Sequence, residues 1–510
     1  MDSSKIKVII VAALALLFSI YLGVSVASAQ KEALGWVGGG MFLVICLALG
    51  KHIWILIPAS LGLRGGLNFL PGSIEPWHIA TAVVGGFFTL RILTRQQPIN
   101  LRWCALDTAV LLVGLTILQA FLRNPTGLLV FGGADAGGKP YLVFGVAIVA
   151  FLLVGMADAD MRSFRWAVAA FVLFSVADGC IVAISGLSQG FAGFMLPYYS
   201  NVNASAALAL DYNTDTDSFR FTDLAGLGNT LGLVACTYWR PIAALDLTKP
   251  WRLIIALIGL AATVLAGYRS YMVRLVLNFV QGSMIRGKPI DSLGFIALGV
   301  MTVAVLVVAV PSGSLPYSMQ RLLTLIPGYK ASESVSKDAE DSIEKRVEMW
   351  RLALLTDRYI SNKLLGDGFH LKSADAELIS AWSRGDKQVT AVYSFQDVMM
   401  ATGSYHGFHA ETIRCTGIVG LIAATWLLVI LALYSLGLIR FFKGHPAWGC
   451  VLFVCMPLLI EPFWVWLVYG SYKGAFYRTL AVAGWVKLLY VMSKRVPRQV
   501  PTAGGSPHNS

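Results

Sequence analysis

Long apolar runs, separated by short polar connections, fill most of the chain. A helix that crosses a bilayer needs about 20 largely apolar residues, and about 12 to 14 runs are of this kind. The strict alternation that a membrane β-barrel requires is not evident in the sequence. The pattern therefore predicts an all-α fold, a polytopic transmembrane helical bundle. The candidate spans are residues 8–28, 34–50, 53–69, 78–93, 105–122, 141–157, 166–186, 224–242, 252–267, 270–284, 292–310, 411–437, 447–469 and 474–492.

Two polar stretches, residues 187–223 and 311–410, are too long to be simple connections between spans. We predict transmembrane helices over 1–310, with the first stretch as a polar outer loop. Residues 311–410 are predicted to form one large periplasmic loop. The C-terminal transmembrane helices then cover 411–494, and 495–510 form a cytoplasmic tail.

Composition and charge agree with this division. Of the 510 residues, 56% are hydrophobic and 13% are charged, which excludes an ordinary soluble protein of this length. Basic residues near span ends stay on the cytoplasmic side. Their clusters share one side of the predicted bundle, so both termini are expected in the cytoplasm, and no basic tract is dense enough to predict a nucleic-acid partner. The clusters are Lys5 and Lys7, Arg91 to Arg102, Arg162 and Arg165, Arg240 to Arg252, Arg286 and Lys288, Arg440 and Lys443, and Lys494 to Arg498.

The N-terminal residues 1–29 also fit a secretory signal, with Lys5 and Lys7 before an apolar run and a small-residue pattern at residues 27–29. The apolar run is long and further spans follow at once, which favours an uncleaved first span. All seven cysteines lie in or beside apolar segments. They indicate neither a disulfide framework nor a CxxC metal site.

The large outer loop contains a predicted amphipathic helix. Asp341 fits the N-cap position of this helix, with Glu344 three residues later. The helix presents Arg346 beside an apolar stripe that is wide enough to lie on the membrane surface. Gly366 and Gly368 then allow a tight turn. The stripe consists of Ile343, Val347, Trp350 and Leu354.

The densest group of reactive side chains lies at residues 405–414, immediately before a span. His406 is the candidate general base, because a histidine takes up a proton near neutral pH. Arg269 and Arg346 are the candidate partners, since a guanidinium binds phosphate oxygens in a bidentate fashion. Arg269 lies between two apolar runs, where an unpaired cation is costly. Arg220 is a weaker third cation, and His409, Glu411 and Arg414 are candidate substrate-binding residues.

Each candidate also has a plainer interpretation. Glu411 and Arg414 have the spacing of a local ion pair, and Arg346 could extend to lipid headgroups. A metal site at His406, His409 and Glu411 lacks a further ligand at a clear spacing, so we predict no metal. Two intramembrane carboxylates that invite a transport function, Asp178 and Glu461, are interpreted as paired or helix-terminal groups. The aromatic residues Phe463, Trp464, Trp466 and Tyr469 are interpreted as a membrane-interface belt rather than a sugar-stacking platform.

These residues resemble the bacterial O-antigen ligase and O-antigen polymerase superfamily. Members of that family are similar at a histidine followed eleven residues later by a glycine and then by another three on, as in His406, Gly417 and Gly420. They also share an arginine with a tryptophan four residues later and a Gly-x-Gly turn, and an arginine-serine step after a span. The matching residues here are Arg346, Trp350, Gly366, Gly368, Arg269 and Ser270, with Arg220, Gly226, Asn229 and Gly232 as a weaker match.

The resemblance implies a membrane glycosyltransferase in a bacterial inner membrane. Such an enzyme moves a glycan from undecaprenyl diphosphate to an acceptor hydroxyl at the periplasmic face, with inversion and without a metal or other cofactor. The acceptor is a lipopolysaccharide core lipid, a polysaccharide or a protein, and the remaining partners are membrane lipids. Alternatives are a polymerase of the same superfamily, a transporter or flippase for lipid-linked sugars, and a scaffold for polysaccharide assembly.

Two positions depart from the family pattern. Gly407 stands where the family usually has Asn, Ser or Gln, and Cys415 stands near the glycine where an acidic residue is usual. Both departures remove hydrogen-bonding groups. His409 and Glu411 are the neighbouring residues that could compensate for them.

Overall fold

The structure is a computed structural model of the 510-residue chain. It describes residues 40, 44–46, 48–70, 74–95, 102–125, 137–202, 222–294, 296–297, 301, 315, 319–320, 323–324, 332–370, 373–383, 392–467 and 470–495. The chain divides into two compact units, Met1–Trp54 and Ile55–Ser510. All candidate site residues belong to the second unit. Arg220 lies outside the described residues.

The described part of the second unit is built from α-helices, and among these residues the only β-type pairing consists of two isolated bridges at Leu67. The helices are α1 (Leu56–Ser60), α2 (Pro76–Leu93), α3 (Ala105–Arg123), α4 (Lys139–Gly155), α5 (Met161–Leu187), α6 (Gln189–Met195), α7 (Ala225–Tyr238), α8 (Pro250–Ala266), α9 (Arg269–Ile285), α10 (Glu333–Leu355), α11 (Ser373–Ser383), α12 (Phe395–Thr402), α13 (Phe408–Phe441), α14 (Trp448–Cys455), α15 (Glu461–Leu467) and α16 (Tyr477–Ser493). This architecture agrees with the predicted all-α class.

Five of the described helical segments are long and apolar enough to cross a membrane. Helix α3 illustrates why they suit lipid. Its buried side includes Val113 and Ile117, whereas Leu115 and Leu122 on its other side are 49% and 68% exposed. A helix that is apolar on both sides is stable when one side packs on protein and the other faces hydrocarbon. The predicted membrane protein is therefore supported at the level of its helices. The five segments are α2, α3, α5, α13 and residues 448–466.

The predicted span 447–469 is interrupted in the structure. It consists of α14, a 3-10 turn at Pro457–Leu459 and the short helix α15. Pro457 has no N–H to donate to the preceding turn, and its ring crowds that turn, which ends a regular helix. A similar interruption separates α8 from α9, where Gly267 adopts a left-handed backbone with φ of 69°.

The C-terminal helices pack among the N-terminal ones. Helix α16 packs against α4, and α13 packs against α3. Lys487 of α16 forms an ion pair with Asp107 of α3, and the two side chains are 1% and 3% exposed. The pair thus joins α16 to α3 in the interior of the second unit.

Helix α10 differs in two respects from the helix that the sequence predicts. It begins at Glu333, not after Asp341, so Asp341 lies inside the helix and does not cap it. The preceding residues contain helix-forming Lys, Ala and Glu and no Gly or Pro, so the helix extends back to Ser332. The residues of the apolar stripe also differ in their surroundings. Trp350 and Leu354 pack on a buried hydrophobic cluster of the protein, whereas Val347 is 54% exposed. Periodicity alone does not distinguish packing on protein from packing on lipid.

The intramembrane carboxylates have partners. Asp178 in α5 is 3% exposed and accepts hydrogen bonds from the Tyr199 hydroxyl and from Asn201 Nδ2, the latter at 3.0 Å. Glu461 begins α15 and forms an ion pair with Arg274 at 2.8 Å. Both therefore have the paired arrangement expected from the sequence.

Candidate functional site

His406 lies in the turn between α12 and α13, two residues before α13 begins. Its backbone is left-handed, with φ of 49°. Such a conformation costs a residue other than glycine about 1–3 kcal/mol and persists only where the surroundings fix it. The half-buried imidazole has a pKa below its ordinary value, because burial disfavours the charged form and the positive charge of Arg346 opposes protonation. His406 is therefore neutral at neutral pH, with a cation beside it.

Trp350 of α10 fixes the turn that carries His406. Its indole Nε1 donates a hydrogen bond to the Tyr405 carbonyl oxygen at 2.9 Å. A Cβ atom on Gly407 would lie 2.3 Å from the same Nε1. Glycine is thus required at 407 because the indole occupies the space of a side chain.

His409 packs between two tryptophans. Its ring makes an edge contact with Trp350, with centroids 4.8 Å apart, and stacks on Trp466 at 5.9 Å. Its Nδ1 is buried and has no hydrogen-bond partner among the described residues. His409 is therefore held in place by aromatic contacts and retains an unsatisfied polar atom.

Arg414 supports this turn from inside the protein. It is 3% exposed and donates to the Ala401 carbonyl at 3.4 Å, the Tyr405 hydroxyl at 3.2 Å and the His370 carbonyl at 3.4 Å. Burial raises the pKa of Tyr405 to about 12, so this hydroxyl stays protonated and neutral. These contacts favour a supporting function for Arg414 over the substrate-binding function predicted from the sequence.

Glu411 is also an interior group, with 1% of its surface exposed. Its Oε2 accepts hydrogen bonds from the Ser471 hydroxyl and the Tyr472 N–H, both at 2.8 Å. Tyr472 begins a one-turn π-helix, Tyr472–Phe476, whose first N–H groups need acceptors. Glu411 and Arg414 thus have separate partners, in place of the local ion pair that their spacing suggests.

The two glycine motifs of the sequence contact each other. Gly417 has φ of 78° and ψ of −177°, and it interrupts α13. The Gly366–Gly368 loop binds at this interruption. The Asp367 N–H donates to the Arg414 carbonyl at 2.6 Å, and the Ile418 N–H donates to the Lys363 carbonyl at 2.9 Å. A Cβ on Gly417 would lie 2.1 Å from the Leu364 carbonyl oxygen, so glycine is needed for this approach.

The same loop is also bound by the C-terminal end of α3, through residues that the sequence did not single out. Gln119 Nε2 donates to the Leu365 carbonyl at 2.8 Å, and Arg123 donates to the Gly366 carbonyl. Asn124 Nδ2 donates to the Asp367 carbonyl at 3.0 Å. In the sequence these residues look like the ordinary polar end of a span. Their function depends on a loop more than 200 positions away, which no local pattern reveals.

Arg269 is the first residue of α9. It follows Tyr268, which in turn follows the left-handed Gly267. Its guanidinium donates to the Thr324 hydroxyl. The next residues, Ser270 and Tyr271, line a cavity of about 320 Å³ that Phe408 of α13 also lines. Arg269 and His406 are not among the residues that line this cavity, although their near neighbours Ser270, Tyr271 and Phe408 are.

The cavity contains a charged pair that the sequence did not reveal. Arg274 and Glu461, which form the 2.8 Å ion pair, both line it. Arg274 is five residues beyond Arg269 in α9, where it resembles an ordinary cation near a span end. The wall is completed by Trp464, Val465, Gly470, Ser471, Gly474, Ala475, Phe476 and Thr479.

Within the described residues, no group of three or more His, Cys, Asp or Glu side chains could hold a metal ion. No protein-family model matches the chain, and no curated protein matches it either. The family resemblance thus remains a prediction from the residues.

Proposed function

We propose that this protein is an integral membrane glycosyltransferase of O-antigen ligase type. It transfers a glycan from undecaprenyl diphosphate to an acceptor hydroxyl at the periplasmic face of the bacterial inner membrane. The observation that carries the proposal is the half-buried His406 in a turn held by Trp350, where burial and the charge of Arg346 lower the imidazole pKa. A base next to a cation suits a reaction that removes a proton while a phosphate group leaves.

In the proposed step, the acceptor oxygen forms a bond to the anomeric carbon of the glycan. The bond between that carbon and the diphosphate oxygen breaks, and its electron pair remains on the diphosphate. The acceptor proton moves to the His406 imidazole. One displacement of this kind inverts the anomeric configuration.

Arg346 and Arg269 would bind the diphosphate and stabilise the negative charge that grows on it. A bidentate guanidinium keeps its charge even when water is excluded, which suits a leaving group at a membrane surface. Arg220 is the third cation in this proposal. His409, with its unpartnered Nδ1, would contact the acceptor or orient His406.

Helix α10 would bring Arg346 to the lipid surface. Val347 and Leu355 of this helix are 54% and 75% exposed, whereas Met349 and Ala353 are buried in a hydrophobic cluster that also contains Tyr405. Exposed apolar side chains on a charged helix are typical of a helix that lies at a membrane interface. This position would set the guanidinium at headgroup depth, where the diphosphate of a lipid carrier lies.

The acceptor class is tested by incubating the purified protein in nanodiscs with an undecaprenyl-diphosphate-linked glycan and each candidate acceptor. Wild type, His406→Ala and Arg269→Ala are compared. The proposal expects transfer to one acceptor class by wild type and a large loss in both variants. Equal transfer by all three proteins would refute the mechanism, and transfer to the growing glycan alone would identify a polymerase.

A further inference from the structure

The cavity between α9, α15 and residues 470–479 has the chemistry of a ligand site. Its volume of about 320 Å³ lies at the lower end of the range for small-molecule pockets. Such pockets combine aromatic walls with a few fixed polar groups. Here the aromatic walls are Tyr271, Phe408, Trp464 and Phe476, and the polar groups are Ser270, Arg274, Glu461, Ser471 and Thr479.

The charged pair in this cavity has hydrogen-bonding capacity left over. Arg274 binds Glu461 Oε2 through one terminal nitrogen, while its Nε is buried and has no partner among the described residues. The two side chains are 21% and 17% exposed, so both are largely withdrawn from water. A buried guanidinium donor without a partner is costly unless a ligand satisfies it. The carboxylate also has a second oxygen, Oε1, that the ion pair does not use.

The charge of the cavity selects against phosphate. The carboxylate of Glu461 neutralises Arg274 and would repel a diphosphate placed beside it. A neutral ligand with several hydroxyl groups meets both requirements, since it accepts from the Arg274 guanidinium, which lines the cavity, and donates to Glu461. The hydroxyls of Ser270 and Thr479, which also line the cavity, offer further hydrogen bonds to such a ligand.

Trp464 supplies a flat apolar wall for such a ligand. It lines the cavity and is 8% exposed, whereas its neighbour Phe463 is 69% exposed and does not line it. The sequence-based interpretation of both as one interface belt therefore does not describe Trp464. The face of an indole packs well against the C–H groups of a ring.

We propose that this cavity binds a sugar ring, and that the ring belongs to the glycan of the lipid-linked donor. The assignment rests on the proposed function. It places sugar recognition at Arg274, Glu461 and Trp464, and leaves the diphosphate to Arg269 and Arg346. These two parts of the donor are therefore bound by different residues.

The test measures equilibrium binding in nanodiscs, without any acceptor. The probes are undecaprenyl diphosphate and the same lipid bearing one N-acetylhexosamine. Wild type should bind the sugar-bearing lipid more tightly. Glu461→Gln, Trp464→Leu and Thr479→Val should each reduce that preference, with Glu461→Gln losing about tenfold, while affinity for the sugar-free lipid does not fall. Phe463→Leu is the matched control and should keep the full preference.

The outcomes separate this inference from the proposed transferase. Equal affinity of wild type for the two lipids, or an unchanged preference in Glu461→Gln and Trp464→Leu, overturns the sugar site. Thermal unfolding of each variant identifies a loss that comes from misfolding, and Thr479→Val preserves shape if the other two variants are unstable. A retained sugar preference without any glycan transfer would support the site and refute the transferase.

Discussion

The indole of Trp350 lies where a side chain on Gly407 would lie, with 2.3 Å between Nε1 and the added Cβ. The same Nε1 donates to the Tyr405 carbonyl. Tryptophan and glycine thus specify one turn together, and His406 sits between Tyr405 and Gly407. Trp350 thus contacts both neighbours of the residue with the left-handed backbone.

Replacing Gly407 is the first prediction. Gly407→Ser should displace the Trp350 indole, lower the thermal unfolding midpoint and reduce transfer, because the indole leaves no room for Cβ. The control is Gly437→Ser in helix α13, where a Cβ meets nothing within 4 Å. Thermal unfolding and transfer rates are measured for both. Equal behaviour of the two variants would show that Trp350 does not restrict residue 407.

The acidic limb of the pH profile is the second prediction. The pKa of His406 is lowered, so the neutral base persists below pH 6.5, and transfer should fall only as pH drops through the lowered pKa. Arg346→Gln removes one cause of the lowering. The pKa of His406 should therefore be higher in this variant, and the acidic limb of its residual activity should lie at a higher pH. A limb that stays in place, or moves to lower pH, would contradict the assignment.

The same shift affects stability in a defined direction. The folded state binds a proton at His406 less readily than the unfolded chain does, so protonation favours unfolding. The His406 contribution to stability is therefore complete above pH 6.5 and is lost as pH falls from 6.5 through the lowered pKa. His406→Gln should show a smaller decline over this window when unfolding is measured against pH. An equal decline would place the titrating group elsewhere.

The interruption at Gly417 supports a third prediction. Gly417→Ala should destabilise the protein by about 3 kcal/mol or more, because Cβ would collide with the Leu364 carbonyl and the left-handed backbone is strained. The Gly366–Gly368 loop should detach as a result, and limited proteolysis should cut near residue 366. Gly437→Ala in the same helix is the control and should be neutral. Intact loop protection in Gly417→Ala would refute the docking.

The buried Lys487–Asp107 pair supports a fourth prediction. Lys487→Met or Asp107→Leu alone leaves one buried charge and should cost about 3–5 kcal/mol of unfolding free energy. The double variant removes both charges and should recover much of that loss. A double-mutant cycle of unfolding in detergent measures the coupling. Additive losses would mean that the two side chains do not stabilise each other.

Much of the helical framework could be predicted, because hydrophobic runs determine which segments enter lipid. The predicted 105–122 and 141–157 correspond to α3 and α4, and 474–492 to α16. The N-terminus of α10 could not be placed, since Asp341 and Ser332 are both acceptable caps and propensity decided between them.

The site was only partly predictable. The candidate residues His406, Arg346 and Trp350 could be selected from type and spacing; in the structure Trp350 binds the turn that carries His406, and the charge of Arg346 acts on the His406 imidazole. The contact between the Gly366 loop and Gly417 depends on tertiary folding across some fifty residues. Arg274 was missed because its partner, Glu461, is 187 residues away. Residue type and local spacing can thus identify candidate reactive residues, whereas the residues that they contact from distant parts of the chain are known only from the tertiary structure.

The transfer rate of His406→Ala tests the central claim most directly. It is measured under single turnover in nanodiscs, with His445→Ala as control, since His445 lies beyond the opposite end of α13 and its Nδ1 accepts from the Ala447 N–H. Binding of the lipid-linked donor is measured on the same samples. We expect His406→Ala to bind the donor normally and to transfer about 10²- to 10⁴-fold more slowly, with His445→Ala unaffected. Transfer by His406→Ala at the wild-type rate would contradict the proposed base.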